Sequence, residues 1–154
     1  MRLFNVLAIF LLFPAFASAE TKFDKGLRSL DIVDNNYRIV NYKAFDELLR
    51  VATEQVAPML PAKIDSVTTA LNMSLNRFGI YSIYQIDGVE TEEDAKSLML
   101  NQGLAENYKN YMCSLEYSQS LVFRNNGNMA ANMSLVNSKY QILYSLRVPF
   151  TDCI

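Results

Sequence analysis

The hydrophobic period of this 154-residue chain changes sharply at Pro61, so the chain must combine helix and sheet. Upstream, Tyr42, Phe45, Leu48, Leu49, Ala52, Val56 and Met59 recur at steps of three, four and one. That spacing puts one apolar stripe on a helix. Asp46 and Arg50 stand four apart on its wet side, and Pro58 and Pro61 close it. Downstream, Val67, Thr69, Leu71, Met73 and Leu75 alternate with Thr68, Ala70, Asn72, Ser74 and Asn76, which describes a strand with one buried face. A second strand, rich in Tyr and Ile, runs from Phe78 to Ile86 and ends at Asp87-Gly88. The short linker at Asn76-Arg77 predicts that the two pair as an antiparallel hairpin.

The helical period returns at Thr91, where Asp94 three residues on gives a variant of the capping box. Ala95, Leu98, Met99, Gln102, Ala105, Tyr108 and Met112 then form one stripe up to Cys113, with Gly103 inside it. Residues 114–124 fit two patterns. Strand alternation groups Gln119, Leu121 and Phe123; helical spacing groups Leu115, Ser118, Leu121 and Val122. A short helix ended by Asn125-Asn126-Gly127 is the preferred reading. Two strands close the chain, one with Met129, Ala131, Met133 and Leu135 facing in, the other with Tyr140, Ile142, Tyr144, Leu146 and Val148. Asn137-Ser138 makes the turn between them. Before all of this, residues 20–41 read as a short helix and loop around Phe23, Leu27 and Leu30. The expected fold is α+β: a four-stranded antiparallel sheet of two hairpins, helices packed on one face, one disulfide. Residues 42–154 form the single domain, with 20–41 as an N-terminal extension.

Residues 1–19 read as a signal peptide. Met1-Arg2 is the positive start, Val6 to Phe13 an unbroken apolar run, and Ala17-Ser18-Ala19 the small-x-small site, with cleavage between Ala19 and Glu20. The apolar stretch is interrupted by Pro14 and is shorter than the roughly 20 residues that cross a bilayer. No stable membrane anchor is expected after cleavage, and the expected location is periplasmic or secreted. Removal of the leader leaves 135 residues with a net charge of −3 and no basic run. That balance argues against nucleic acid and anionic membranes as partners.

Cys113 and Cys153 are the only cysteines. In an oxidising compartment two cysteines allow one connectivity, and closing a loop of about 41 residues would stabilise by ~4 kcal/mol in the chain-entropy model. Two inert thiols or a reactive pair are the alternatives. A redox pair would normally be spaced Cys-x-x-Cys, and a zinc site needs more ligands.

The chain contains no histidine, which removes Ser-His-Asp and Cys-His nucleophiles and histidine-based metal sites. No phosphate loop, dinucleotide fingerprint or nucleophile elbow is present, so no cofactor is expected. The acids Asp87, Glu90, Glu92, Glu93 and Asp94 lack the alternation and central Gly of a calcium loop, and helix-start electrostatics explain them. Glu106 and Glu116 are the pair a glycosidase would use, but both sit in helical patterns as surface residues. Most of the nine tyrosines are expected to fill the core with their hydroxyls at the rim. The word Asn-Met-Ser-Leu occurs twice, at 72–75 and 132–135, within expected strands, and each contains a glycosylation acceptor pattern.

Leu60-Pro61 before a two-stranded unit, a helix ending in Tyr111-Met112-Cys113, a hairpin, and Thr151-Asp152-Cys153 near the end resemble the AspS-type pilotins of type II secretion systems. The resemblance spans residues 55–154. It implies a small periplasmic domain of mixed helix and sheet, held by a Cys113–Cys153 bridge, with a groove beside the sheet that holds a partner helix. Such pilotins bind the C-terminal segment of the secretin and escort it to the outer membrane. Their lipidated N-terminal cysteine has no counterpart at Ala19-Glu20, so escort is not part of the expectation. The expected function is therefore a non-enzymatic, exported protein-binding domain, accessory to an envelope or secretion assembly, with a secretin segment as one partner. The second reading is an immunity or inhibitor protein that blocks a toxin or envelope-targeting enzyme. A small hydrolase using carboxylates alone is the third.

Overall fold

A computed structural model of the chain describes residues 20–153; the expected leader, Ala19 included, lies outside the described residues. The sheet has five strands in sequence order: β1 (Ala62–Lys63), β2 (Thr68–Asn76), β3 (Gly79–Ile86), β4 (Ala130–Val136) and β5 (Ile142–Pro149). This corrects the expected four-stranded antiparallel sheet in two ways. β1, only two residues long, pairs with Thr69 and Ala70 at one edge, too short for any periodicity to reveal it. The two hairpins also join in parallel, Gly79 to Gln85 of β3 lying beside Ala130 to Val136 of β4. The connection between them carries three helices, long enough to return the chain to the end where β3 began.

Alternation places Ile80, Ser82 and Tyr84 of β3 toward the helices, opposite Ala131, Met133 and Leu135 of β4, which face Val148, Leu146 and Tyr144 of β5. Two bulges reset this parity. In β2 Leu71 is the extra residue, so the inward set is Ala70, Met73 and Leu75 rather than the unbroken odd series. In β5 Leu143 is extra, and the turn runs to Gln141 with Tyr140 at φ 60°. Tyr140 and Ile142, expected to face in, are consequently 72% and 64% exposed. Gly79 is required where β3 meets β4: at φ 129° an added Cβ would stand 1.9 Å from the Ala130 carbonyl oxygen.

The helices are α1 (Lys22–Ser29), α2 (Tyr42–Val56), α3 (Glu92–Lys96), α4 (Leu104–Ser114) and α5 (Leu121–Asn125). α2 follows its stripe, burying Phe45 and Leu49, although Met59 falls in a 3-10 turn and is exposed. The long stripe from Thr91 to Cys113 is not one helix. α3 opens on a complete Thr91–Asp94 capping box, widens into a π turn at Ser97–Asn101, and stops. Gly103, in the left-handed region at φ 73°, then starts α4. This break leaves Gln102 exposed rather than in the stripe. Residues 116–119 form a 3-10 turn, and Ser120 caps α5 through the amides of Val122 and Phe123.

The core lies between the helices and one face of the sheet. Phe45, Leu49, Met99, Met112 and Phe123 meet Ile80, Met133 and Val148 there. Leu27, Ile32, Val33 and Ile39 of the N-terminal segment belong to the same cluster, and Phe23 stacks on Phe123 with centroids 5.4 Å apart. Cys113, near the end of α4, is bonded to Cys153, with Cα atoms 5.0 Å apart.

Candidate functional site

α2 packs beside the β2 edge, and a single hydroxyl links the two backbones. Thr53 Oγ1 accepts the Leu75 N–H at 2.9 Å and donates to the Leu49 carbonyl at 3.0 Å. An edge amide that would otherwise face solvent is thereby satisfied. Two helical turns toward the N-terminus of α2, Asp46 receives the Arg77 guanidinium, with Nε at 3.0 Å. The same guanidinium lies 5.2 Å from the Tyr42 ring centroid. Arg50 is held between Glu47 and Glu54 on its own helix, with Nε 2.9 Å from Glu47.

These contacts define a groove of about 640 Å³ between α2 and the β2–β3 turn. Leu75 and Phe78 supply its apolar surface, and Asp46, Arg50, Glu54 and Arg77 form its rim. Phe78 is 58% exposed, an aromatic ring standing free at the mouth. Since the rim charges are paired among themselves, the groove attracts neither a polyanion nor a polycation. Its chemistry is to take an apolar side chain over Phe78 and Leu75 and hydrogen-bond polar flanks along the rim.

Asp87, Glu90, Glu92, Asp94 and Glu116, among the acids considered from sequence, have structural partners. Asp87 pairs with Lys63 at 3.3 Å, Glu92 with Lys96 at 3.6 Å, and Glu90 accepts the Ser138 amide at 3.2 Å. Asp94 closes its capping box, and Thr91 holds its carboxyl below the ordinary value. Glu106 lies in the first turn of α4, whereas Glu116 follows its end and accepts the Lys22 amide at 3.0 Å. The two are separated by roughly 12 Å or more of helix. Among the described residues, no group of three or more His, Cys, Asp or Glu is placed to hold a metal ion, and no helix is long and apolar enough to cross a membrane.

The tyrosines divide. Tyr108 is buried with its hydroxyl 3.3 Å from Ser82 Oγ, and burial pushes its pKa up to about 12. Burial likewise raises Tyr84 and Tyr117. Tyr81, Tyr111 and Tyr140 are exposed.

Asp24 was not singled out from sequence, yet it is fully buried. Its carboxylate accepts the amides of Thr21, Leu121 and Val122 at 3.0, 3.0 and 3.2 Å, together with the Ser120 hydroxyl. Burial alone would raise its pKa; these donors outweigh that and hold it below the ordinary value. The visible signal was the Thr21-x-x-Asp24 spacing of a capping box, which α1 uses. Nothing local reveals that the same carboxylate reaches α5.

The sequence matches no family model, and no curated protein is significantly similar to it. The fold, however, is shared. A Pseudomonas aeruginosa protein inferred to be secreted superposes with a TM-score of 0.56 at 10% identity, over 75% of this chain and 97% of its own. A pilotin from the type 2 secretion system of Vibrio vulnificus, EpsS, superposes with a TM-score of 0.46 at 15% identity, over 70% of this chain and 93% of its own. The first of these likenesses concerns the fold alone.

Proposed function

We propose that this chain is an exported, non-enzymatic protein-binding domain of the periplasm or cell exterior, accessory to an envelope or secretion assembly. Its groove between α2 and the β2–β3 turn takes one amphipathic segment of a partner. The exposed Phe78 ring over Leu75, inside a rim of mutually paired charges, carries this reading. It offers an apolar anchor point with polar surroundings, the pattern of a protein-docking hot spot. The leader-like N-terminus and the single cross-link support export. The sequence resemblance to pilotins supports a secretin segment as the occupant.

The test is affinity capture from native envelope extract with the chain from Glu20 onward as bait, beside a Phe78→Asp variant of equal thermal stability. A secretin retained by the wild type, lost with Phe78→Asp and lost when its C-terminal segment is deleted, is the expected result. Capture of one toxin or wall-cleaving enzyme, sensitive to Phe78→Asp, moves the reading to an inhibitor or immunity protein. Capture indifferent to Phe78→Asp overturns the groove as the docking site.

A further inference from the structure

The two edges of the sheet are finished differently. At the β2 edge, β1 covers Thr69 and Ala70, and the Thr53 hydroxyl satisfies Leu75. At the other edge, β5 has β4 on one side only. The Phe150 N–H donates to the Met129 carbonyl at 3.0 Å, which fixes the parity of that pair. Val148, Leu146 and Tyr144 accordingly turn their backbone groups to β4. The N–H and C=O of Ser145 and Arg147 therefore point away from the sheet. Among the described residues, no side chain or loop bonds to these four groups.

The open stretch is bounded. The bulge at Leu143 ends it on one side; on the other stands Pro149, which has no N–H to offer. Tyr144 to Val148 remain, roughly 17 Å of strand. Burial also falls along the inward rows as this edge is approached. Met133 and Leu135 of β4 are buried, whereas their partners Leu146 and Tyr144 on β5 are only part-buried. On the outer side Ser145 and Arg147 are both exposed. Arg147 spends one N–H on the Asn128 carbonyl at 2.7 Å and has no carboxylate partner among the described residues.

We propose that the β5 edge is completed by an extended segment of a partner protein, apolar at alternate positions and carrying an acidic residue beside Arg147. The backbone row selects the conformation, because an extended polypeptide offers donors and acceptors at the strand repeat. Leu146 and Tyr144 select apolar side chains on the inward face, which would cover surface that the helices leave open. Arg147 selects the acid on the outward face, since opposite charges across strands attract and like charges repel. The same point disfavours a second copy. A β5 laid antiparallel on β5 sets two Arg147 side chains on one face with no carboxylate between them. The edge lies across the sheet from the groove at Phe78 and does not rest on it.

The test is titration of the isotope-labelled chain from Glu20 onward with the acetylated, amidated peptide Ser-Thr-Val-Glu-Val-Thr-Ser, followed by amide shifts. Its palindromic order presents one pattern in either strand direction. The Ser145 and Arg147 amides are expected to move saturably, and Ser145→Pro to weaken affinity roughly tenfold or more. That substitution removes an outward N–H without touching the β4 ladder. Ser145→Ala, which keeps the N–H, is expected to retain binding. Lys in place of the peptide's Glu is expected to weaken binding about fivefold, and Arg147→Glu to reverse that preference. This charge exchange needs no proline, so it decides the matter if Ser145→Pro fails to fold. No saturable shift at Ser145 and Arg147, binding indifferent to a folded Ser145→Pro, or a peptide preference unchanged by Arg147→Glu overturns the proposal. So does a dimer of the chain alone in sedimentation that Ser145→Pro dissolves, because the edge would then belong to a second copy. Phe78→Asp is expected to leave the titration unchanged, so the two sites fail separately.

Discussion

Two anchors hold the long connection between β3 and β4, and they work by different physics. From the N-terminal side, Asp24 of α1 inserts a buried carboxylate into the start of α5, where Ser120, Leu121 and Val122 donate to it. From the C-terminal side, Cys153 is joined to Cys113 at the end of α4. The connection needs such support. Its helices are short, broken by the π turn and by Gly103, and none of the three is as long as α2. The cross-link acts mainly by restricting the unfolded chain and is indifferent to pH. The Asp24 anchor acts only in the folded state, depends on charge, and is strong because the buried carboxylate accepts several hydrogen bonds at once. The difference teaches that one connection can be fixed covalently at one end and electrostatically at the other, and that the two ends should fail under different conditions.

Removing the cross-link should have the largest effect. Cys113→Ser with Cys153→Ser is expected to lower the unfolding free energy by ~4 kcal/mol, the chain-entropy value for this loop. Urea denaturation measures it. Amide exchange should accelerate at residues 150–153 first, while α1 stays protected. A loss below about 0.5 kcal/mol would show that packing of Phe150, not the bond, holds the C-terminus.

Next comes Asp24→Ala, which removes an acceptor from the buried Ser120 hydroxyl and from the amides of Thr21, Leu121 and Val122. A loss of ~3 kcal/mol is expected, since each orphaned buried group costs on the order of 1–3 kcal/mol with partial relaxation. Exchange should rise in residues 22–29 and 121–125 and not at Cys153. If both regions stay protected, the anchor is incidental to the fold.

The third test uses pH to separate the two anchors. The folded Asp24 titrates below its ordinary value of 3.8, so its stabilisation is complete above about pH 4 and is lost as pH falls through the folded pKa. The wild type should therefore lose stability on acidification below about pH 4 more steeply than Asp24→Asn does. Parallel curves would mean that the carboxylate is not ionised in the folded state. The smallest effect belongs to the exposed contact of the same segment: Glu116→Ala, which removes the acceptor of the Lys22 amide, should cost less than about 0.5 kcal/mol. A larger loss would shift the weight of the N-terminal anchor from Asp24 to the surface.

Local pattern revealed local things. α2 was legible because fifteen residues keep a helical period and bury Phe45 and Leu49. The Thr91–Asp94 capping box was legible because both partners lie three residues apart. The hairpin of β2 and β3 was legible because its linker is short. The groove at Phe78 was not legible. Its makers, Thr53, Leu75, Arg77 and Phe78, come from two elements whose relative placement no periodicity encodes.

What the sequence by itself determined is which residues turn inward along β4 and through the middle of α2, because burial imposes a period that an uninterrupted element must display. It also determined the absence of histidine chemistry and the presence of just two thiols, since composition needs no fold. The tertiary structure alone decided which strands are neighbours, and so the parallel join of β3 to β4. It alone decided the bulges at Leu71 and Leu143 that reverse the inward set, and the burial of Asp24 against α5 some 96 residues away. The reason is physical: a side-chain period reports the face of an element, whereas pairing and burial are properties of two elements at once.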